Sequence, residues 1–245
     1  KYMNIIFYLL LFFGFSYFIS NLYWIIISLT FDKSFSLLIP ITLFLIPSFL
    51  ALFYGLITLV FFLIRPRNIL SAFLLFSLLF GMIEFIRGIV LTGFPWNLIL
   101  YSLSENLNLI SIISIIGTYS LNLITISLYT LPTLYFLRKS RKEIIVIIFF
   151  SILPIIFLSY GSFQKKEFSN SEQKKNSYTI RIIGSNISLD RFYNNTQTEN
   201  IINELTQISL PEKNKKILFV WPEGIIPNTY QDELDLFGDI IKKNF

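Results

Sequence analysis

The stretch EFIRGIVLTGFPWN, residues 84–97, decides how this chain folds, because it places two ionisable residues inside a long apolar run. Glu84 and Arg87 are three residues apart, so on a helix they share a face and can form an ion pair. An ionised side chain within a membrane span needs such a partner. Gly93 and Trp96 then indicate a break near the interface, where Trp is a preferred anchor. The stretch predicts a membrane helix that ends in a turn.

Two interpretations of this stretch remain open at the level of its residues. The ion pair is either part of a functional site or a structural link between helices. The aromatic turn is either an entrance for lipid from the bilayer or an ordinary loop.

Apolar runs that approach or exceed the length of a membrane span extend on both sides of this stretch. A helix needs about 20 apolar residues to cross the hydrocarbon core. Hydrophobic residues make up 54% of the 245 residues, and the mean hydropathy is +0.65. The sequence therefore predicts a multi-span α-helical membrane domain in residues 1–160, with five spans at 4–29, 36–64, 69–91, 107–137 and 143–160.

The distribution of charge predicts the orientation of these spans. Lys and Arg are retained in cytoplasmic loops, and two loops between predicted spans are basic, through Arg65, Arg67, Arg138, Lys139, Arg141 and Lys142. Everything after the fifth span is then expected outside the cytoplasm. Basic and acidic residues balance in residues 161–245, so the net charge of +5 belongs to the membrane half. That balance argues against a nucleic-acid partner.

Residues 161–176 are predicted to be a polar linker, and residues 177–245 have the pattern of an α/β domain. The order strand, helix, strand, helix indicates a parallel sheet. Such a sheet needs further strands and a cover on both faces, so we expect the first part of a larger domain. The predicted elements are strand 177–187, helix 199–208, strand 215–221 and helix 230–244.

The stretch LFVWPEGIIPN, residues 218–228, places the carboxylate of Glu223 just after the second predicted strand. Functional groups of parallel sheets gather at the carboxyl ends of strands, and a carboxylate partly shielded by Trp221 can act as a general base. A solvated glutamate in a turn is the alternative. The first strand ends in GSNIS within residues 182–194, which by itself indicates only a strand that leads into a polar loop.

Cysteine and histidine are both absent from the sequence. Their absence excludes disulfides, thiolate and imidazole metal sites, Ser-His triads and a cysteine nucleophile from these 245 residues. We predict no metal site and no cofactor.

Taken in order, the multi-span half, EFIRGIVLTGFPWN, the strand that ends in GSNIS and LFVWPEGIIP resemble the apolipoprotein N-acyltransferase family of bacterial lipoprotein maturation. The resemblance implies a membrane-bound member of the nitrilase superfamily. Residues 177–245 would be the N-terminal part of its αββα sandwich domain, on the outer side of the bacterial inner membrane. The expected partners are a phospholipid acyl donor and a diacylglyceryl-modified apolipoprotein, and we expect a monomer.

The family resemblance also implies a Glu-Lys-Cys triad that transfers the acyl chain through a cysteine thioester. Glu223 matches the general base of that triad, and Lys242 and Lys243 follow it too closely to match the lysine. Because the chain lacks the cysteine, we expect a fragment, truncated at both ends, that is catalytically incomplete. Five further residues are expected to contribute to substrate binding: Trp96, Arg87, Glu84, Tyr193 and Trp221.

Three other classes of function fit the sequence less well. A non-catalytic membrane scaffold with a remnant sheet would leave an unpaired strand edge, which favours aggregation. A membrane-tethered nitrilase-like amidase would have no need of the lipid-facing TGFPW segment. A transporter would carry more paired polar residues within its spans than Glu84 and Arg87.

Overall fold

The computed structural model divides the chain into two compact units, Lys1–Ser171 and Glu172–Phe245. It describes residues 2–90, 93–171, 178–184, 198–212, 215–226, 229–230, 233, 235 and 237–244. The first unit is helical, and the second contains a small parallel sheet.

Five helices in the described part of the first unit are long and apolar enough to cross a membrane. This finding confirms the prediction of a multi-span membrane protein. Two helices of four residues each, Leu107–Ile110 and Ile113–Ile116, lie between the third and fourth of these spans. The helices are α1 (Tyr2–Leu22), α2 (Leu38–Ile64), α3 (Ile69–Ile89), α4 (Leu107–Ile110), α5 (Ile113–Ile116), α6 (Thr118–Leu137) and α7 (Arg141–Asn170).

The first predicted span, 4–29, changes its helical form part of the way along. Regular α-helix ends at Leu22, and a 3-10 helix continues through Tyr23–Thr30. The apolar character of the sequence continues across that junction, so hydropathy alone does not show the change.

The fourth predicted span, 107–137, is not one continuous helix, which corrects the sequence prediction. Gly117 has a φ of 79° and separates α5 from α6. Such a backbone angle is accessible to glycine because it lacks a Cβ atom. Since apolar residues lie on both sides of Gly117, the periodic pattern conceals the break.

The predicted linker 161–176 begins as helix, because α7 continues to Asn170. The residues that follow the apolar run, QKKE at 164–167, are polar but have good helix propensity. Their polarity therefore ends the apolar surface without ending the helix. Gly161 is buried where α7 meets α4, and a Cβ there would lie 2.2 Å from the carbonyl oxygen of Asn108.

The core of the membrane unit forms where α1, α2, α3 and α6 meet. Gly14 of α1 allows a close approach to α2, since a Cβ there would lie 2.9 Å from Cδ2 of Tyr54. The outer surface of the bundle remains apolar, as expected for contact with lipid tails. The buried residues of the core are Phe18, Leu22, Leu50, Tyr54, Ile57, Phe80 and Ile126.

The second unit contains two parallel strands, β1 (Thr179–Ile182) and β2 (Ile217–Val220), in a register that pairs Thr179 with Ile217. The parallel pairing predicted from the order of the elements is thus observed. Helix α8 (Thr198–Ser209) lies between the strands in the sequence and buries Ile201, Ile202 and Leu205. The last described helix, α9, spans Gly238–Asn244, within the predicted helix 230–244.

Candidate functional site

The predicted ion pair of α3 is formed and is completely buried. Nη2 of Arg87 lies 2.9 Å from Oε2 of Glu84, and the two side chains are 1% and 0% exposed. The hydroxyl of Tyr54, on α2, donates to the other carboxylate oxygen, Oε1, at 2.6 Å. The carboxylate of Glu84 therefore accepts hydrogen bonds from residues on two helices, α2 and α3.

Arg87 also holds the turn that follows its helix. Its Nη1 donates to the backbone carbonyl oxygen of Phe94 at 2.6 Å and to that of Trp96 at 2.9 Å. Its guanidinium lies over the ring of Phe18, with Cζ 5.2 Å from the ring centroid. The same side chain thus connects the ion pair, helix α1 and the turn.

The backbone of this turn depends on Gly93, whose φ is 75°. A Cβ there would lie 2.5 Å from the carbonyl oxygen of Gly88, which no side chain tolerates. The N–H of Phe94 donates to the carbonyl oxygen of Arg87 at 3.0 Å. Beyond the turn, the hydroxyl of Tyr17 donates to the carbonyl oxygen of Asn97 at 2.9 Å.

Trp96 is held by its backbone while its side chain remains accessible. The side chain is 52% exposed. Its ring stacks on Trp24, with centroids 5.3 Å apart and planes 19° apart. Trp24 donates its indole N–H to the carbonyl oxygen of Asn21 at 2.9 Å. The pair forms an aromatic surface of the kind that favours membrane interfaces.

An apolar groove of about 450 Å³ lies beside this turn, between α2 and the end of α3. Its volume is within the range of small-ligand sites. We call it the Arg87 groove, after the ionised residue in its lining. It is lined by Leu45, Ile46, Phe49, Leu50, Phe53, Arg87, Val90, Gly93 and Phe94.

Glu223 lies in the second unit, in a turn that follows the carboxyl end of β2, and its side chain is exposed. Gly224 has a φ of 65° and allows the turn. The half-buried Trp221 donates its indole N–H to Oγ of Ser209 at 2.9 Å. The indole is thus fixed to the end of α8.

The predicted site residues therefore fall into two groups. The structure connects Glu84, Arg87 and Trp96 by hydrogen bonds in the first unit, whereas Trp221 and Glu223 belong to the second. Tyr193 lies outside the described residues.

Sequence reasoning missed the aromatic residues that support the ion pair and the turn. Tyr17, Phe18 and Tyr54 come from other spans, so no fixed spacing relates them to Arg87. The occurrence of tyrosine within apolar spans could have indicated such contacts, since a buried phenol usually has a hydrogen-bond partner. In the described part of the chain, no cluster of three or more Asp, Glu, His or Cys residues could hold a metal ion.

Comparisons with known proteins give a consistent result. The family model described as the apolipoprotein N-acyltransferase N-terminal domain matches residues 3–131. A relative named apolipoprotein N-acyltransferase from Rhodopseudomonas palustris is 29% identical over 240 residues, which is 93% of this chain and 44% of the relative. A Rickettsia bellii protein of that name is 28% identical over 220 residues, 89% of this chain and 43% of the relative.

A third relative of that name, from Rickettsia prowazekii, is 36% identical over 152 residues, 61% of this chain and 30% of the relative. The chain thus spans less than half the length of these curated relatives. Since the family model matches more than half of the chain, and since two of these relatives match about nine tenths of it, the chain belongs to the apolipoprotein N-acyltransferase family.

Proposed function

We propose that residues 1–245 supply the membrane part and the general base of an apolipoprotein N-acyltransferase. The enzyme would transfer an acyl chain from a phospholipid to the α-amine of the N-terminal diacylglyceryl-cysteine of a lipoprotein. One observation carries the membrane half of the proposal: the buried Glu84–Arg87 pair fixes an aromatic turn beside an apolar groove.

The Arg87 groove would hold an acyl chain of the phospholipid. Its walls are mostly Leu, Ile and Phe side chains, which bury an alkyl chain favourably. Leu45 is 62% exposed and Phe49 is 44% exposed, so the groove is accessible from the bilayer. The stacked rings of Trp24 and Trp96 would lie at the headgroup level, which suits their amphipathic character.

The second unit would be the first part of a nitrilase-like αββα sandwich. The parallel strands support this proposal, because Ile180 and Ile182 of β1 are 55% and 77% exposed, and Leu218 and Val220 of β2 are 53% and 42% exposed. An exposed apolar face on a parallel sheet requires a covering layer. Further layers of the family's domain would supply it.

Glu223 would act as the general base of the triad. It would take the proton of a cysteine thiol, whose sulfur then attacks the ester carbonyl of the phospholipid. The carbon–oxygen ester bond breaks, the departing alkoxide receives the proton, and a thioester and a lysophospholipid result. The α-amine then attacks the thioester and forms the amide as the carbon–sulfur bond breaks, while Glu223 accepts a proton from the amine and returns it to the departing thiolate.

The cysteine of the triad would come from outside these 245 residues, because the sequence has none, and so would the lysine, because Lys242 and Lys243 follow Glu223 too closely to match it. The lysine would stabilise the oxyanion of each tetrahedral intermediate. We therefore expect this chain alone to bind phospholipid without transferring its acyl chain. As the family implies, the chain would lie in the cytoplasmic membrane, and by the positive-inside rule residues 177–245 would lie on its outer side. We expect it to be a monomer.

Photocrosslinking tests the role of the Arg87 groove. The purified chain is reconstituted in vesicles that contain a phospholipid with a diazirine on its acyl chain. Crosslinks are expected on Phe49, Phe53 and Phe94, and Leu45→Trp should reduce them by filling the groove. Leu52→Trp is the matched control, since Leu52 is 51% exposed on the same helix and is outside the groove lining. Equal crosslinking in both variants would refute a lipid site in this groove.

A further inference from the structure

A second cavity, of about 680 Å³, lies at the opposite end of α3 from the Arg87 groove. We call it the basic pocket, because Arg67, Lys139 and Lys142 line it. Arg67 precedes α3, and the two lysines flank the start of α7. Ala72 of this pocket is 15 residues from Arg87 along the helix, or roughly 22 Å at 1.5 Å per residue.

The carboxylate of Glu143 in the lining offsets only part of the positive charge of these three cations. Glu143 is only 4% exposed, and its Oε2 accepts hydrogen bonds from the backbone N–H groups of Lys139 and Ser140. The carboxylate thus caps the N-terminus of α7. Among the described residues of the first unit, Arg67, Lys139 and Lys142 form no salt bridge, and all three side chains are exposed.

The basic pocket continues into apolar surface. Ile69 and Ala72 line both this pocket and a groove of about 350 Å³ between α3 and α6. Phe73, Phe76 and Leu134 form part of that groove. A ligand that occupies both cavities must have an anionic end and an alkyl chain.

We propose that the basic pocket and the adjoining groove bind an anionic phospholipid. Its phosphate is held by Arg67, Lys139 and Lys142, and one acyl chain lies in the groove between α3 and α6. Basic pockets between membrane helices on the cytoplasmic side are suited to anionic headgroups. The site is separate from the Arg87 groove and goes beyond the proposed acyl transfer, because it holds a lipid at the other end of the bundle.

Native mass spectrometry tests the headgroup part of this proposal. The 245-residue chain is placed in non-ionic detergent micelles that contain equimolar phosphatidylglycerol and phosphatidylcholine. It is then released from the micelles in the mass spectrometer, and the lipids that remain bound are identified. We expect a preference for phosphatidylglycerol. The variant Arg67→Gln/Lys139→Gln/Lys142→Gln should weaken phosphatidylglycerol binding by about 100-fold, at a few-fold for each lost cation, and leave phosphatidylcholine binding unchanged.

The control variant, Lys33→Gln/Lys165→Gln/Lys166→Gln, removes the same charge from the connection between α1 and α2 and from the far end of α7. It should retain the preference for phosphatidylglycerol. An equal loss in both variants would refute the site, and so would the absence of any preference in the unmodified chain. Displacement of the lipid by millimolar inorganic phosphate would show a site for free anions instead.

A second pair of variants tests the acyl-chain part. Ala72→Phe narrows the connection between the pocket and the groove. It should weaken phosphatidylglycerol binding by about tenfold, because methylene groups of the acyl chain can then no longer be buried in the groove. Leu74→Phe is the control, because Leu74 is 46% exposed on the same helix and lines neither cavity. Equal affinities in these two variants would overturn the proposed path of the chain. Circular dichroism of every variant confirms its helical content.

Discussion

The guanidinium of Arg87 donates to the backbone carbonyl oxygen of Trp96 at 2.9 Å, across nine residues and past the end of α3. This bond joins a charge inside the membrane bundle to an aromatic residue on its surface. Because the same guanidinium pairs with Glu84, the position of the turn depends on the ion pair. Substitutions within the pair should therefore change the stability of the protein in ways that reflect this dependence.

Removal of Arg87 should be more harmful than removal of the whole ion pair. Arg87→Met leaves the Glu84 carboxylate buried without its cation and should lower the free energy of unfolding by about 3–5 kcal/mol. Glu84→Gln/Arg87→Met removes the uncompensated charge and should recover part of that loss. Unfolding in mixed detergent micelles, followed by circular dichroism, measures both. Equal destabilisation of the single and double variants would contradict the buried pair.

The hydroxyl of Tyr54 should contribute measurably through its bond to Glu84. Tyr54→Phe removes a hydrogen bond to a charged group and should cost about 1.5–3 kcal/mol in the same unfolding experiment. In the Glu84→Gln background the effect should fall to about 1 kcal/mol, the value of an ordinary hydrogen bond. An effect that is the same in both backgrounds would mean that the hydroxyl does not act through Glu84.

Gly161→Ala should destabilise the protein, although alanine is the better helix former. In an exposed helix this substitution gains about 0.5–1 kcal/mol. Here the added Cβ meets the backbone of Asn108, so overpacking should cost about 1–3 kcal/mol net. Thermal unfolding in detergent measures the difference. Ser162→Ala, at an exposed neighbouring position, should have little effect, and a stabilised Gly161→Ala variant would disprove the contact between α4 and α7.

The second unit should lose, in acid, the contribution that the ionised carboxylate of Glu212 makes to its stability. Hydrogen bonds from Lys215 and then from Arg181 hold the pKa of Glu212 below its ordinary value. A carboxyl whose folded pKa is lowered stabilises the fold above its unfolded pKa, and this stabilisation disappears as the pH falls through the folded pKa. The advantage of the unmodified chain over Glu212→Gln should therefore be full at neutral pH and vanish below the usual glutamate range.

Urea unfolding of the second unit, followed by fluorescence, measures that advantage. Trp24→Phe/Trp96→Phe makes Trp221 the only tryptophan of the chain, since the sequence has three. An advantage of the unmodified chain that does not change between neutral pH and strong acid would contradict the lowered pKa of Glu212.

The extent to which the sequence predicted this structure differs between its parts. The spacing of Glu84 and Arg87 predicted their pairing, because residues three apart on a helix are always neighbours. The bond from Tyr54 could not be predicted in this way, since it depends on how α2 packs against α3. The break at Gly117 and the helix beyond Gly161 were missed because hydropathy reports burial in lipid and not backbone conformation.

The two groups of predicted site residues were predictable to different degrees for the same reason. The strand that precedes Glu223 has a local pattern, and the parallel pairing of β1 with β2 follows from the order of the elements. The exposure of Glu223 and the bond from Trp221 to Ser209 depend on tertiary packing that no local pattern encodes. The Arg87 groove also has no sequence signature, because its walls come from separate helices.

Acyl transfer by a completed enzyme tests the central proposal most directly. Residues 1–245 are fused to the part of the Rhodopseudomonas palustris relative that follows the matched region, and the chimera is reconstituted with phospholipid and a diacylglyceryl-modified peptide. Mass spectrometry of the peptide then detects the N-acyl product. We predict transfer by the chimera, no detectable transfer by Glu223→Gln, and transfer close to that of the chimera by the control Glu199→Gln. A Glu223→Gln chimera as active as the control would contradict the assignment of Glu223 as the general base.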